Sequence, residues 1–110
     1  MDDIAAAIQA DLAAHPDVTE ASVSYTDYFL DTPAANASIL IRSGANPEPL
    51  VDEAVRLIWL SQLAPIATIA VSVQDATTNQ LAATRVLSPE GKDRAQLERQ
   101  YGPRPAEQSG

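Results

Sequence analysis

His15 is the first residue to consider for chemistry, because it is the only histidine in a chain that contains no cysteine. Histidine pairs, thiolate metal sites, iron–sulfur clusters and thiol nucleophiles are therefore excluded. A serine–histidine triad would need a nearby serine, which a sequence cannot locate. Because His15 ends a predicted helix and precedes Pro16, we expect it to interact with the C-terminal end of the helix dipole.

The carboxylates form no recognisable catalytic or metal-binding pattern. Asp27, Asp31 and Asn36 could bring oxygen ligands into one loop, but the ligand spacing and closing glutamate of a calcium loop are absent. Asp52 and Glu53 are neighbours on a predicted helix, where successive side chains point about 100° apart and cannot share a substrate. Nucleotide-binding, serine-hydrolase and zinc-protease motifs are also missing. The sequence predicts a protein that is not an enzyme, with no catalytic residue, no cofactor and no metal site.

Length and charge restrict the class of protein further. A chain of 110 residues, 45% hydrophobic, has the usual size of one domain with one core. The net charge is −8, and residues 1–75 carry eleven acidic and two basic residues, whereas residues 76–110 carry four and five. Such a field repels phosphate backbones and favours encounters with basic proteins. We therefore expect no nucleic-acid partner.

The sequence offers no targeting or membrane segment. Acidic residues stand at positions 2 and 3, where a secretory signal would carry bases. The longest apolar stretch, residues 57–73, is interrupted by polar residues and by Pro65, and is shorter than the roughly 20 apolar residues of a membrane helix. We therefore expect no membrane span and a cytoplasmic location.

The elements that must position these residues are read from hydrophobic periodicity and from turn residues. Apolar residues recur at helical spacing in two segments and alternate in others, and proline, asparagine or aspartate separate them. The predicted elements are helices over 2–15, from 47 until Pro65 and over 88–101, and strands over 18–29, 38–42, 69–73 and 81–87, with a connecting loop over 28–37.

This order predicts an α+β fold: a two-layer α/β sandwich of ferredoxin-like character, αββαββ with a C-terminal helix and a mostly antiparallel sheet. We expect a core domain over residues 1–88, a C-terminal helix over 89–101 and a flexible tail over 102–110. Over residues 2–74, the order αββαβ and the phrase His15-Pro16-Asp17-Val18 resemble the ring-building and BON-type domains of bacterial envelope assemblies. That resemblance implies protein or lipid contact and not catalysis, although the glycine usual in that turn is missing.

Aromatic and apolar side chains at the edges of these elements are the candidates for an interface. Trp59 is expected at the edge of the buried side of the second helix, and the alternative is that it belongs to the core. Aromatic residues bury a large area at low entropic cost, whether in a core or in an interface. Tyr25, at the end of the first strand, belongs to the same aromatic cluster as two of the candidates. The predicted interface residues are Trp59, Leu60, Leu63, Tyr28, Phe29 and Tyr101.

Three functional hypotheses remain open from the sequence. The first is a non-enzymatic protein-interaction or assembly module that binds itself or another protein, through the Trp59 edge of the second helix or through an open sheet edge, with a homo-oligomer as one outcome. The second is an acidic inhibitor or immunity-type protein that neutralises a basic partner. The third is an enzyme or ligand carrier with a cavity between helices and sheet. In the inhibitor hypothesis, the residues expected to contact the basic partner are Asp2, Asp3, Asp11, Glu48, Asp52 and Glu53.

Overall fold

The computed structural model describes residues 2–26, 33–61, 66–89 and 91–103. The order of its elements is the predicted one, three helices and four strands. They are α1 (Asp2–Ala13), β1 (Val18–Thr26), β2 (Ala34–Ile41), α2 (Glu48–Trp59), β3 (Thr68–Asp75), β4 (Leu81–Leu87) and α3 (Arg94–Tyr101). None of the helices in these ranges is long and apolar enough to cross a membrane.

Several predicted boundaries were wrong, among them the end of α2, which lies at Trp59 and not at Pro65. β2 begins at Ala34, inside the predicted connecting loop, because Ala34 and Ala35 already pair with β1. Alanine has a weak strand preference, so the sequence pattern did not reveal this part of the strand. α3 begins at Arg94 and not directly after Ser88, because the Ser88 N–H donates to Oδ2 of Asp93 at 2.8 Å and residues 91–93 form a turn.

The four strands form one mixed sheet in the order β1-β2-β3-β4. The β1–β2 and β3–β4 pairs are antiparallel, whereas the central pair, β2–β3, is parallel. A parallel pair requires a crossover connection, and α2 lies within that connection. The ferredoxin-like description is not confirmed, because a split βαβ unit places another strand between the two parallel strands and here they are direct neighbours.

The core lies between α1 and α2 and one face of this sheet. Alternate residues of β1, β2 and β3 face the helices, and the register aligns them in rows across the sheet. Apolar residues of α2 recur at helical spacing on the side that covers the sheet, as the sequence predicted. The largest fully buried side chains are Trp59, Leu12, Ile39, Ile41, Leu50, Ile58, Ile66, Ile69, Val51, Val55 and Val71.

The opposite side of the sheet, here called the open face, carries small and mostly polar side chains. No helix of the described part of the chain supplies a core residue to it. The strand register places four hydroxyl residues in a single row across all four strands and a second row of mixed side chains beside it. The open face comprises Ser22, Ser38, Ser72 and Thr84 in the first row, and Ser24, Asn36, Ala70 and Val86 in the second.

Candidate interaction surface

Strand β4 carries the most unusual surface of the described chain. It ends the sheet and therefore presents an outer edge that no further strand of this sheet covers. Leu81 is 57% exposed and Val86 is 64% exposed, and these are the exposed large hydrophobic residues among those the structure describes. A long apolar edge strand is a template for pairing with another chain. β4 and its exposed side chains are called the β4 edge below.

The one charged residue of β4 is directed away from the open face. Arg85 lies opposite Val71 on the helix-covered side of the sheet. Its guanidinium donates to Asp52 at 2.6 Å and to Glu48 at 3.4 Å, both on α2. Lysines and other exposed charges are the usual protection of an edge strand. The β4 edge lacks this protection because its only charge is neutralised from within the molecule.

The edge at the other end of the sheet is protected. The backbone N–H of Val23 in β1 donates to Oε1 of Gln9 at 3.0 Å, so a side chain of α1 satisfies a donor of that edge. β1 also carries the exposed acid Glu20 next to a register irregularity between Val18 and Glu20. β4 has a register irregularity too, where its pairing with β3 passes over Ala82, so β-bulges do not distinguish the two edges, whereas the Gln9 contact and the charge of Glu20 do. The two edges of the sheet therefore differ in their readiness to bind another strand.

Trp59 is a core residue in this structure, which is the alternative to the surface position that we expected. Its side chain is 0% exposed, and its indole N–H donates to the carbonyl oxygen of Gly102 at 2.9 Å. Trp59 is buried because α3 packs against α2 through the buried Leu97 and places the Gly102 carbonyl beside the indole N–H. α3 contains few apolar residues, so the sequence did not predict this contact with α2.

The other predicted interface residues lie in different settings. Leu60 is half-buried and packs against the core, and Tyr25 does the same at the end of β1. Leu63, Tyr28 and Phe29 lie outside the described residues. Of the predicted interface residues within the described ranges, Trp59 is buried, whereas Leu60 and Tyr101 are half-buried.

Tyr101 connects α3 to α2. It is half-buried, and its hydroxyl donates to the backbone oxygen of Asp52 at 3.4 Å. Burial raises the pKa of the Tyr101 hydroxyl above its ordinary value of 10.0, and the negative charge of Asp52 adds to this effect. Both influences favour the neutral phenol that α3 uses to contact α2.

A cavity of about 380 Å³ lies between α2, β4 and α3. Arg85 at its wall is already bound by two carboxylates, and Asp93 accepts the N–H of Ser88. A ligand site usually offers several polar groups that converge on one point. The charged groups of this cavity instead bind one another or the backbone, so the cavity explains how α3 is attached and does not suggest a substrate.

The residues considered first for chemistry have structural roles or lie outside the described ranges. His15 follows α1, and its Nδ1 accepts the backbone N–H of Asp17 at 3.2 Å. Asn36 lies on β2, whereas Asp27 and Asp31 fall in the part that is not described. Within residues 2–26, 33–61, 66–89 and 91–103, no three histidine or acidic side chains are placed to bind a metal ion.

Comparison with known proteins does not indicate a function for this surface. No protein-family model matches the chain, and no match is found among curated proteins or among solved structures. Function must therefore be argued from the surface itself.

Proposed function

We propose that this protein is a non-enzymatic assembly module that associates with copies of itself. The observation that carries the proposal is the β4 edge, where exposed apolar side chains coincide with the end of the sheet. Exposed edges are costly in a monomer because they invite uncontrolled pairing, and natural proteins usually protect them. An edge with exposed apolar side chains and no unpaired charge is consistent with a strand that is covered in the assembled protein.

The acidic-inhibitor alternative has less support than self-association. Of its six expected contributors, Glu48 and Asp52 are paired with Arg85, and Glu53 is paired with Arg56. These ion pairs reduce the negative surface that a basic partner would need. The proposal of an assembly module does not depend on net charge, because backbone hydrogen bonds and apolar contacts would hold the copies together.

Light scattering coupled to size exclusion tests this function. We expect the measured mass to rise from that of the monomer, 11.7 kDa, towards an integral multiple as the concentration increases from about 1 μM to about 1 mM. Added salt should leave association unchanged or strengthen it, because screening reduces repulsion between copies that each carry a charge of −8. A mass that stays at the monomer value over the whole range would refute self-association and return attention to a basic partner.

A further inference from the structure

We propose that two copies join through their β4 edges, in antiparallel orientation around Thr84, so that the two four-stranded sheets become one continuous eight-stranded sheet. This inference rests on the proposed function and names the contact that produces it. The partner is a second copy of this chain, and the contact is isologous: each copy contributes the same strand. Backbone N–H and C=O groups of an edge strand are complementary to those of an identical strand running the other way.

The distribution of charged residues favours contact between two copies at the β4 edge of the sheet. Two molecules of net charge −8 repel each other, and the acidic residues concentrate in residues 1–75. β4 and α3 belong to residues 76–110, in which acidic and basic residues nearly balance. Arg85 is neutralised by α2, so the side chains that β4 exposes carry no charge. Repulsion between two copies is therefore smaller at β4 than at β1, which exposes Glu20.

The residues of β4 also favour one register. Thr84 is the middle residue of Leu81–Leu87, and a two-fold axis at Thr84 pairs Ala83 with the partner's Arg85 on each side of the axis. Val86 then lies opposite the register irregularity at the partner's Ala82, so the second copy covers the most exposed apolar side chain of the strand. An axis at Arg85 would instead leave Leu81 and Ala82 without an opposite residue in the partner's β4, so fewer residues of the strand would pair.

Disulfide cross-linking measures this register directly, because the chain contains no cysteine and each introduced thiol is unique. In the T84C variant the two Cα atoms would lie about 4.5–5.5 Å apart, within the range that a disulfide spans. In A82C they would be about 13 Å apart along the strand, too far for a disulfide. We expect T84C to form a covalent dimer under mild oxidation and A82C to remain uncrosslinked, whereas a mixture of A82C and V86C should cross-link.

S22C is the matched control, because Ser22 lies in the same row of the open face as Thr84 but on β1, at the protected edge. It is exposed, as Thr84 is, and should not cross-link. A second variant, V86K, places a charge on an exposed position where folding should not suffer. We expect its dissociation constant to rise at least about tenfold, because both copies carry the change, while its circular dichroism stays that of the unmodified protein.

The outcomes separate this inference from the proposed function. If the unmodified protein stays monomeric in light scattering, both are refuted. If it associates but T84C does not cross-link, or if V86K associates as tightly as the unmodified protein, the pairing of β4 edges is refuted and self-association stands through another surface. Cross-linking of T84C together with loss of association in V86K supports both.

Discussion

Leu97 controls whether α3 stays attached to the rest of the protein. Its side chain is 3% exposed, and it is the one residue of α3 that is buried, with Tyr101 half-buried one turn later. Complete burial of a leucine side chain contributes about 1.5–3 kcal/mol. Replacement of a buried leucine by alanine costs about 2–5 kcal/mol, because contacts are lost and a cavity remains. Leu97→Ala should therefore remove most of the free energy that holds α3 against α2.

Trp59 reports this detachment, because it is the only tryptophan and because Gly102 accepts its indole N–H at 2.9 Å. In the L97A variant we expect red-shifted emission and stronger quenching by acrylamide, an uncharged quencher, while the far-UV circular dichroism of the core changes little. Gln96→Ala is the control, because Gln96 is exposed on the same helix and alanine preserves helix propensity. Its emission should equal that of the unmodified protein.

The result that would refute this reasoning is a Trp59 emission in L97A that is unchanged in wavelength and quenching. If the urea midpoint nevertheless falls by the equivalent of about 2–5 kcal/mol, α3 unfolds only together with the core and is not a separately attached element. If neither quantity changes, Leu97 does not contribute to the attachment of α3.

Two further predictions concern pH. Because burial raises the pKa of Tyr101 above that of an unfolded tyrosine, its contribution to stability is complete below pH 10 and is lost as pH rises through the folded pKa. Urea unfolding from about pH 8 to about pH 11 should show this loss, and Tyr101→Phe should reduce it. The pKa of Asp75 is lowered from 3.8 by the backbone N–H groups of Thr77 and Thr78, so its contribution is present above about pH 4 and disappears as pH falls through the lower folded pKa. The stability difference between the unmodified protein and Asp75→Asn should therefore narrow below about pH 4, and an equal difference at all pH values would contradict this assignment.

The order of elements was predictable because it depends on local patterns. α2 shows its apolar face at helical spacing, and β3 shows alternation, so each was visible in a short window of sequence. The parallel pairing of β2 with β3 was not predictable in this way, because it depends on which distant strands become neighbours. The first residues of β2 were missed for a different reason: Ala34, Ala35 and Ala37 carry too little side chain for alternation to be recognised.

The candidate surface was harder to predict than the fold. Trp59 was expected at the edge of a helix, and only the position of α3 shows why it is buried. The sequence analysis considered an open sheet edge as an alternative to Trp59, but it did not indicate β4, because that segment reads as an ordinary weak strand. What distinguishes this strand is the pairing of Arg85 with two acids of α2, which neutralises the only charge of β4. That pairing is a tertiary contact and is not encoded in any local pattern.

The single parallel pairing in the sheet has a consequence for how the chain folds. The β1–β2 and β3–β4 pairs join strands that follow each other directly in the chain, whereas β2 and β3 meet only after the crossover that contains α2 has closed. Contacts between distant parts of the chain are formed against a larger loss of chain entropy, and they slow folding. We therefore expect the two hairpins to form early and weakly, and the β2–β3 seam, with α2 packed across it, to be the rate-limiting event that turns two unstable halves into one cooperative unit.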